Sequence, residues 1–449
     1  MKNVDQFKGL NVLVLGLAKS GFAAADLLYT LGANVTVNDA SPKEGNKEAA
    51  ELQQKGVHVI CGGHPSDLLE QGFDLIVKNP GIPYHNPVLV KAVQENIPIW
   101  TEIELTYKIS EAPIVAITGS NGKTTTTTLL YHMLNIGKKK PLIAGNIGKV
   151  SCTVAKKATQ ENTIVLEASS FQLMGTEQFR PKIAIWTNLY EAHLDYHGTV
   201  DDYAAAKSQV AVNQTETDYL IYNADQPKLT SYVEAMAARK IPFSLKGRRE
   251  DGISADENQI YWNGSPFISR SMIKLPGDHN LENILAATAA AILLGCEHAT
   301  IENVLSSFTG VRHRMQFVKE LMGRKFFNDS KATNTLATKS ALAAFNIPTI
   351  LIAGGLDRGQ SFEELRPYMN HVKVVVALGE TAGQFAEFAT SCGISIVLRA
   401  ESMQDAVKKA YSLTAEGDIV LLSPACASWD QYPNFEARGD EFIDAVMAL

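Results

Sequence analysis

A glycine-rich segment with a lysine and a threonine is the most specific chemical signal in the sequence. It is Thr118-Gly-Ser-Asn-Gly-Lys-Thr124, and it continues directly from the apolar run Ile114–Thr118. Backbone N–H groups in such a turn, placed before a helix, form a cradle for phosphate oxygens. Lys123 would reach the terminal phosphates, and the Thr124 hydroxyl would bind Mg²⁺. Ile117 stands where the strict phosphate-loop pattern has glycine, so a surface glycine turn with a chance lysine is the alternative.

A second glycine-containing turn, Gly16-Leu-Ala-Lys-Ser-Gly21, lies near the start of the chain. It resembles the dinucleotide fingerprint G-x-G-x-x-G, but Ala18 replaces the middle glycine, which lets a backbone approach a pyrophosphate. Asp39 ends the next apolar run, where an acidic side chain commonly binds a ribose hydroxyl. A tight turn without a ligand is the alternative. Because a phosphate loop follows in the next block, a nucleotide-linked substrate explains both turns better.

Four further side chains are candidates for binding a metal or a phosphate. Glu167 ends the apolar run Thr163–Leu166, and a buried carboxylate there favours a neighbouring cation such as Mg²⁺; a helix N-terminal region rich in Ser and Glu is the alternative. His193 and His197 have an i, i+4 spacing that suggests zinc, but no third ligand is evident. Contact of one histidine with Mg²⁺ or phosphate is therefore favoured. Lys207 by itself is typical of a solvated helix lysine.

Polar clusters also follow three strand-like runs in the last third of the chain. The clusters are Asn328–Asn334, Gly354–Gly359 and Ser423–Gly439. Ligands of parallel α/β sheets bind at the carboxyl ends of the strands. Each cluster alone is compatible with ordinary turn chemistry, but three of them in succession indicate a binding edge.

Apolar runs of strand length alternate with helical patterns along the whole chain. This alternation predicts parallel sheets that are covered by helices on both faces. A length of 449 residues, at roughly 150 residues per domain, predicts about three domains. We predict three consecutive doubly wound α/β domains, namely a Rossmann-like domain at residues 1–110, a P-loop ATPase-like domain at 111–309 and a Rossmann-like domain at 310–449.

Composition narrows the class of protein further. A net charge of −7 argues against binding to nucleic acid or acidic membranes, and no apolar run reaches the ~18 residues that a bilayer span needs. The five cysteines form no C-x-x-C pair, which favours a reducing compartment over a disulfide scaffold or zinc knuckle. The run Asn11–Ala18 imitates a signal-peptide core, but its flanking glycines suit a strand-to-helix turn. We therefore expect a cytoplasmic protein without membrane insertion.

These motifs, in this order, resemble the Mur ligase family, the ATP-dependent amino-acid ligases of peptidoglycan assembly. The resemblance covers essentially the whole chain. It rests on Gly119–Thr124, His279–Asn283, His313-Arg314, Asp329–Asn334 and the closing Ser423–Ser428 with Asp430-Gln431 and Asn434–Glu436. The closing segment is most similar to the branch that adds D-glutamate. The resemblance therefore implies ligation of D-glutamate to UDP-N-acetylmuramoyl-L-alanine through an acyl phosphate, by a monomer that needs ATP and two Mg²⁺ ions.

The resemblance also implies a role for individual residues. The catalytic residues are Lys123, His193 and Lys207, the last carbamylated by CO₂. The metal ligands are Thr124, Glu167, His193 and Lys207. The ATP-binding residues are Thr118, Gly119, Ser120, Asn121, Gly122, Lys123, Thr124, Thr125, Asn283, Arg314 and Asp329. The UDP-substrate is bound by Gly16, Leu17, Ala18, Lys19, Asp39, Asn79, Pro80, Gly81, Asn146 and Ser169. D-Glutamate is bound by Lys331, Thr333, Arg358, Ser428 and Phe435, with Arg358 at a position where the family also uses lysine.

Two other classes of function compete with a ligase. A nicotinamide oxidoreductase would account for the first block but not for Lys123 or the third block. A non-catalytic nucleotide sensor would keep the phosphate loop without needing the cluster from Ser428 to Phe435. Release of ADP that requires both the muramoyl substrate and D-glutamate would separate a ligase from both.

Overall fold

The computed structural model describes residues 1–275 and 277–449, with the backbone alone at residue 195. Within these residues the chain forms two compact units, Met1–Phe308 and Thr309–Leu449. The first unit contains an amino-terminal and a central sheet, and the second contains a carboxy-terminal sheet. The predicted three-domain α/β fold is therefore confirmed, while the predicted domain bounds remain predictions.

The amino-terminal sheet is parallel throughout. Its strands are β1 (Asn11–Leu15), β2 (Asn34–Asp39), β3 (His58–Cys61), β4 (Leu75–Lys78) and β5 (Ile99–Trp100), in the spatial order β3-β2-β1-β4-β5. Its helices are α1 (Lys19–Thr30), α2 (Lys47–Gln54), α3 (Pro87–Gln94) and α4 (Glu102–Ile109), with 3₁₀ turns at Val4–Phe7 and Leu68–Gln71. Val12 and Val14 join one apolar cluster while Leu13 and Leu15 join another, because successive strand residues face opposite sides of the sheet.

The central sheet is parallel except for a hairpin added at one edge. Its strands are β6 (Ile114–Thr118), β7 (Pro141–Gly145), β8 (Thr163–Glu167), β9 (Ile183–Trp186), β10 (Tyr219–Asn223), β11 (Arg239–Ser244), β12 (Ile253–Ala255), β13 (Gln259–Trp262) and β14 (Ser265–Ser269). Their order is β14-β13-β12-β11-β10-β9-β6-β8-β7, and β13 is antiparallel to both of its neighbours. The carboxyl ends of β6, β8 and β9 therefore meet at one edge, where ligands of such sheets bind.

The helices of the central region cover this sheet and link its strands. They are α5 (Lys123–Ile136), α6 (Ser151–Ala155), α7 (Ser170–Leu173), α8 (Leu194–His197), α9 (Val200–Ser208), α10 (Pro227–Glu234), α11 (Asp278–Leu293) and α12 (His298–Ser307), with a 3₁₀ turn at Arg270–Met272. None of the helices formed by the described residues combines the length and apolar character needed to cross a membrane. All five cysteines are free thiols.

The carboxy-terminal sheet carries one antiparallel strand at its edge. Its strands are β15 (Gln316–Leu321), β16 (Arg324–Asn328), β17 (Thr349–Ala353), β18 (Val372–Ala377), β19 (Ile396–Arg399) and β20 (Ile419–Leu422), in the order β15-β16-β20-β17-β18-β19. Its helices are α13 (Thr335–Ala343), α14 (Ala382–Ser391), α15 (Met403–Ser412) and α16 (Phe435–Met447), with a 3₁₀ stretch at Glu363–His371. β20 lies between β16 and β17, so the loops that follow these three strands are neighbours.

Helix α4 connects the two sheets of the first unit through buried polar contacts. The Glu104 carboxylate is fully buried and accepts hydrogen bonds from the amides of residues 177, 178 and 179, at 2.9, 3.1 and 3.0 Å. The Thr106 hydroxyl donates to Ser151 Oγ at 2.7 Å. One continuous apolar cluster contains residues from both sheets. Burial combined with satisfied hydrogen bonds keeps the two sheets in a defined arrangement.

Candidate functional site

The predicted phosphate loop is a sharp turn between β6 and α5. Gly119 has φ 146° and Gly122 has φ 81°, both in the left-handed region. A Cβ on Gly119 would lie 1.9 Å from Thr187 Oγ1, and one on Gly122 would lie 2.0 Å from Asn283 Oδ1. Both positions therefore require glycine for conformation as well as for space. Asn283, on α11, also accepts a hydrogen bond from Thr126 Oγ1 at 3.3 Å.

The segment that follows β9 holds the loop in shape. Asn188 Oδ1 accepts from the Asn121 amide at 2.8 Å, and Thr187 Oγ1 donates to the Asn121 carbonyl at 2.7 Å. The Ser120 hydroxyl donates to the Tyr190 carbonyl at 2.9 Å. These bonds fix the loop before any ligand arrives, which reduces the entropy cost of binding.

Two lysines donate to the same carbonyl oxygen of this loop. Lys123 Nζ and Lys207 Nζ each lie 2.8 Å from the Gly119 carbonyl oxygen. Lys207 comes from α9, is 1% exposed, and lies 4.4 Å above the Tyr203 ring. Burial lowers the pKa of the Lys207 amine well below its usual range, and the charge of Lys123 lowers that pKa further. The charge of Lys123 therefore lies where a phosphate would bind, with the Lys207 amine beside it.

Glu167 provides a buried carboxylate next to the loop. It ends β8 in register with Ile117 of β6, and it is 1% exposed. Asn146 donates to Glu167 Oε1 at 2.8 Å, whereas Glu167 Oε2 has no hydrogen-bond partner among the described residues. A buried oxygen without a donor is costly unless a cation binds there. Thr124, in the first turn of α5, is also buried.

These oxygen donors fit Mg²⁺ better than a metal held entirely by side chains. Among the described residues, no group of three or more His, Cys, Asp or Glu side chains is arranged to hold a metal ion. Mg²⁺ commonly uses one or two carboxylates together with water and substrate phosphates. A carboxylate with an unpartnered oxygen beside a phosphate loop is such a donor set.

His193 lies beside the same aromatic group as Lys207. It has φ 56° and precedes α8, and its ring centroid lies 5.1 Å from that of Phe171 and 6.2 Å from that of Tyr203. His197 instead stacks on Phe171 and shares a 2.9 Å hydrogen bond with Ser170 Oγ. The His197 ring centroid also lies 5.2 Å from that of Tyr203, so both histidines share the aromatic group beside Lys207, and His197 is distinguished by its hydrogen bond to Ser170.

The predicted nucleotide turn of the first sheet is also tightly built. Gly16 has φ 89°, and a Cβ there would lie 2.8 Å from Ile82 Cδ1. The Asp39 carboxylate accepts from the amide of Leu17 at 2.5 Å and from that of Ser41 at 2.7 Å. Burial alone would raise the pKa of Asp39, but these hydrogen bonds outweigh it and lower that pKa. Asp39 thus orders two loops of the predicted nucleotide site.

Other residues predicted to bind the UDP-substrate lie in loops of the first unit. Asn79 Nδ2 donates to Ser20 Oγ at 3.0 Å, and Asn79 Oδ1 accepts from the Gly81 amide at 3.1 Å. Ser169 caps α7 and forms a reciprocal capping box with Gln172. Asn79 therefore joins the Asn79-Pro80-Gly81 loop to α1, whose start contains Lys19.

Lys78 supports the predicted Asn79-Pro80-Gly81 loop, and sequence reasoning missed it. It is 1% exposed and donates to the carbonyls of Pro80 at 3.1 Å and Ile82 at 2.8 Å. Tyr196 donates its hydroxyl to the same Ile82 carbonyl at 3.0 Å. Burial lowers the pKa of Lys78 to about 8, although the charge of Glu102 acts in the opposite direction. The sequence signal that could have identified Lys78 is a lysine at the end of an otherwise apolar strand, Leu75–Lys78.

In the second unit, Asp329 lies in a buried polar cluster after β16. Its carboxylate accepts from the Met315 amide at 3.1 Å and from Ser423 Oγ at 3.0 Å. Burial raises the pKa of Asp329 to about 7, although these hydrogen bonds and the nearby Arg314 charge act to lower it. Arg314 Nε is buried without a hydrogen-bond partner in the described part of the chain.

The residues predicted to bind the amino-acid substrate lie around the loops after β16, β17 and β20. Lys331 Nζ is 5.4 Å from the centre of the Phe435 ring, and the Lys331 carbonyl accepts from the Thr333 amide at 2.8 Å. Ser428 is 2% exposed, and its hydroxyl has no partner among the residues described. The Arg358 guanidinium lies 4.7 Å from the centre of the Trp429 ring.

Arg438 supports these loops and was also missed. It is 1% exposed, and its guanidinium donates to the carbonyls of Ser330 at 2.8 Å and Cys426 at 3.1 Å. Burial lowers the pKa of Arg438 to about 10. Sequence reasoning missed it because an arginine on a helix ordinarily indicates a solvent-exposed face.

Three family descriptions match successive parts of the chain. "Mur ligase MurD-like, N-terminal domain" matches residues 10–101, "Mur ligase middle domain" matches 117–291, and "Mur ligase, glutamate ligase domain" matches 313–426. Two similar relatives are UDP-N-acetylmuramoylalanine–D-glutamate ligases, from Bacillus mycoides at 55% identity over 449 residues and from a Geobacillus species at 54% over 450. In both comparisons all of this chain and all of the relative are covered.

Solved structures with the same fold are more distant in sequence. The UDP-N-acetylmuramate–alanine ligase MurC of Thermotoga maritima has a TM-score of 0.57 at 20% identity, covering 98% of this chain and 99% of its own. The MurF ligase of Thermotoga maritima, in complex with ADP, has a TM-score of 0.56 at 18% identity, covering 100% and 97%. Identities this low establish the shared fold alone.

Replacing Gly122 by alanine should impair nucleotide binding more than it impairs folding. The added Cβ would meet Asn283 Oδ1 in a backbone with positive φ, so the loop must move. Gly72→Ala is the matched control, because Gly72 has φ 72° and nothing within 4 Å of its Cβ position. Gly72→Ala should lose about 1–2 kcal/mol of stability, and Gly122→Ala should lose more because of the contact with Asn283, both measured by thermal unfolding. Only Gly122→Ala should weaken binding of a fluorescent ATP analogue, and equal binding by both variants would contradict the geometry.

Replacing Asp329 by asparagine should remove a pH dependence of stability from the second unit. With a pKa near 7 in the folded chain, Asp329 keeps a proton between about pH 4 and pH 7 that the unfolded chain has lost. Stability therefore falls as pH rises through that window, by up to about 4 kcal/mol. Asparagine cannot ionise, so the variant should gain protection relative to the parent at pH 8 and little at pH 5.

The measurement is hydrogen–deuterium exchange of peptides that contain β16 and β20. Parent and variant are compared at the same pH, so that the intrinsic pH dependence of exchange cancels. The control is Asp444→Asn, since Asp444 is exposed on α16. A difference between Asp329→Asn and the parent that is the same at both pH values would contradict the raised pKa.

Proposed function

The chain belongs to the Mur ligase family, and from that premise we propose that it joins D-glutamate to UDP-N-acetylmuramoyl-L-alanine at the expense of ATP. The observation that carries this proposal is 55% identity, over the full length of both chains, with D-glutamate ligases of that name. The product is a peptidoglycan precursor. Because the reaction consumes ATP and the cysteines are free thiols, we place it in the cytoplasm. We also propose, as the family resemblance implies, that the enzyme acts as a monomer.

The reaction needs an activated carboxylate, since a carboxylate is a poor electrophile. A carboxylate oxygen of the L-alanine residue attacks the γ-phosphorus of ATP, and ADP leaves, which gives an acyl phosphate. The amine of D-glutamate then attacks the carbonyl carbon, phosphate leaves with the former carboxylate oxygen, and the amine loses a proton. The product is an amide, accompanied by ADP and phosphate.

The phosphate loop supplies the charge for the first step. Lys123 would bind the γ-phosphoryl group, on which negative charge is spread during transfer. Its present acceptors are the carbonyls of Gly119 and Ser120, at 2.8 and 3.0 Å, so it is already held at the loop. In the first unit, ATP would be bound by Thr118, Gly119, Ser120, Asn121, Gly122, Lys123, Thr124, Thr125 and Asn283. In the second unit, the residues proposed for ATP are Arg314 and Asp329.

Two Mg²⁺ ions are proposed as cofactors. They would be held by Thr124, Glu167, His193 and carbamylated Lys207. Bound Mg²⁺ neutralises phosphate charge and orients the phosphoryl group for in-line attack. The support from this chain is the unpartnered Oε2 of the buried Glu167 carboxylate.

Carbamylation changes the electrostatic role of Lys207. The neutral amine attacks CO₂, forms a C–N bond and releases a proton, which leaves a carbamate anion. Its lowered pKa favours the neutral amine that this step needs. As an ammonium, Lys207 repels Lys123 and any cation nearby, whereas the carbamate attracts both. Burial against the Tyr203 ring, at 4.4 Å, would shield the carbamate from water.

The substrate-binding residues are assigned as the family resemblance implies. The UDP-substrate would be bound by Gly16, Leu17, Ala18, Lys19, Asp39, Asn79, Pro80, Gly81, Asn146 and Ser169. D-Glutamate would be bound by Lys331, Thr333, Arg358, Ser428 and Phe435. The buried, unpartnered Ser428 hydroxyl supports its assignment, because such a group gains a hydrogen bond when a polar ligand arrives.

The proposed activity is tested by measuring ADP release under controlled omission of substrates. ADP should form rapidly only when ATP, UDP-N-acetylmuramoyl-L-alanine and D-glutamate are all present. L-Glutamate in place of D-glutamate, and UDP-N-acetylmuramic acid without L-alanine, are the matched controls. Equal rates with L-glutamate, or with no amino acid, would overturn the assignment.

Lys123→Ala should lower the rate of ADP release by about 10²-fold or more. The reason is lost stabilisation of the transferring phosphoryl group, so circular dichroism and thermal unfolding should remain close to those of the parent. Lys157→Ala, at an exposed position after α6, is the control and should keep full activity. A Lys123→Ala variant with near-parental turnover would show that the phosphate loop is wrongly assigned.

Lys207→Ala should be nearly inactive and should recover part of its activity in acetate. A small carboxylate can occupy the space of the carbamate, whereas Lys207→Arg keeps a cation there and should not be rescued. Lys123→Ala controls for a general effect of acetate. With ¹³C-bicarbonate, the parent should give a carbamate carbon signal in NMR that both Lys207 variants lack. Parental activity of Lys207→Ala at low bicarbonate would refute carbamylation.

A further inference from the structure

The guanidinium of Arg358 packs against an exposed indole. Its Cζ lies 4.7 Å from the centre of the Trp429 ring. Among the described residues no carboxylate lies within ion-pair distance of Arg358, and its further hydrogen bond is made by the backbone amide, which donates to Gln360 Oε1 at 2.9 Å. Trp429 is 65% exposed, so the pair lies at the protein surface. The indole is therefore the contact that orients the guanidinium.

The backbone brings these two residues together reliably. Arg358 lies in the loop after β17 and Trp429 in the loop after β20, and these strands pair in parallel. The Leu356 amide donates to the Ala427 carbonyl at 3.0 Å. A Cβ on Gly355 would lie 2.3 Å from that same carbonyl oxygen. The close approach of the two loops thus depends on glycine and is fixed by a hydrogen bond.

Stacking leaves the guanidinium edge available to a ligand. A guanidinium packs on an aromatic ring through its flat face, while its N–H donors point outward in the plane and match a carboxylate in pairs. A lysine ammonium has no flat face and cannot be oriented in this way. Directly before Trp429 lies Ser428, whose buried hydroxyl has no partner among the described residues.

We propose that Trp429 is a positioning residue that orients the Arg358 guanidinium for two-point binding of the distal carboxylate of D-glutamate. The inference rests on the proposed function, which assigns that carboxylate to Arg358. It also accounts for arginine at a position where the family uses lysine as well: the indole restores a defined direction to the longer side chain. Trp429 thereby contributes to selection of a dicarboxylic amino acid without contacting it.

The central experiment is a double-mutant cycle on the full-length enzyme. Trp429→Leu should raise the KM for D-glutamate by about 3- to 30-fold, the range expected from a lost cation–π contact, with kcat and the KM for ATP within about twofold of the parent. Trp429→Phe should restore much of the loss because it keeps an aromatic face. In an Arg358→Lys background, Trp429→Leu should have little further effect, since no stacked guanidinium remains.

A second readout isolates recognition of the distal carboxylate. D-Glutamine has the same shape as D-glutamate but a neutral amide at that end, so the preference for D-glutamate should fall in Trp429→Leu. The matched control is Tyr411→Leu, which removes the ring under Arg324, a cation–π pair at 5.4 Å elsewhere in the same unit. This control should change neither the KM for D-glutamate nor the preference.

The outcomes separate this inference from the proposed function. If Arg358→Lys and Arg358→Ala raise the KM for D-glutamate but Trp429→Leu does not, or if the two effects simply multiply, the positioning role is overturned. If Arg358→Ala leaves the KM unchanged, the assignment of Arg358 in the proposed function fails. Stacking itself is read in the ligand-free chain, where Arg358→Ala should alter tryptophan fluorescence. If Arg358→Ala changes the fluorescence but the parent enzyme does not ligate D-glutamate, the proposed function is overturned, and the role of Trp429 is overturned with it.

Discussion

The arrangement of the first unit depends on two lysine amino groups that share one carbonyl oxygen, that of Gly119. Lys123 and Lys207 both donate to it at 2.8 Å, and because like charges at this separation repel each other, the charge of Lys123 adds to burial in lowering the pKa of Lys207. An anion resolves the repulsion, whether a phosphate between the lysines or a carbamate on one of them. The positive φ of Gly119 and the hydrogen bonds from the segment after β9 keep the carbonyl in place. The surrounding structure thus maintains an arrangement that is complete only with an anionic ligand.

Sequence reasoning predicted the elements whose patterns are uniform. The strands before the phosphate loop and before Ser423 were found because each contains a short, continuous apolar run that leads into polar residues. β11 was not found because Pro242, which cannot donate to a ladder, follows two charged residues, Arg239 and Lys240. It is nevertheless an internal strand, between β10 and β12. Tertiary packing outweighs local propensity at such a position.

The candidate site divides in a similar way. Residues in local motifs, from Thr118 to Thr124 or from Ser423 to Ser428, were visible because their spacing alone suggests phosphate binding or a strand-end loop. Lys78 and Arg438 could not be identified because the fold determines their partners. Lys78 and Tyr196 donate to the same Ile82 carbonyl, and Arg438 lies far along the chain from its partner Ser330. No local pattern distinguishes a buried cation of this kind from a solvated one.

The two missed residues, Lys78 and Arg438, share a feature with Lys207, which the sequence did predict. Lys78, Lys207 and Arg438 are each 1% exposed, and each donates to backbone carbonyls of a loop at the end of a strand. Carbonyl dipoles can solvate a buried cation without cancelling its charge, unlike a carboxylate partner. Burial lowers the pKa of all three groups, which is the cost of this arrangement. The benefit is a set of buried N–H donors that hold the loops at three edges, where a diphosphate, a triphosphate and an amino-acid carboxylate are proposed to bind. A buried lysine or arginine side chain that donates to loop carbonyls is therefore found at the proposed binding sites of chemically different parts of one reaction.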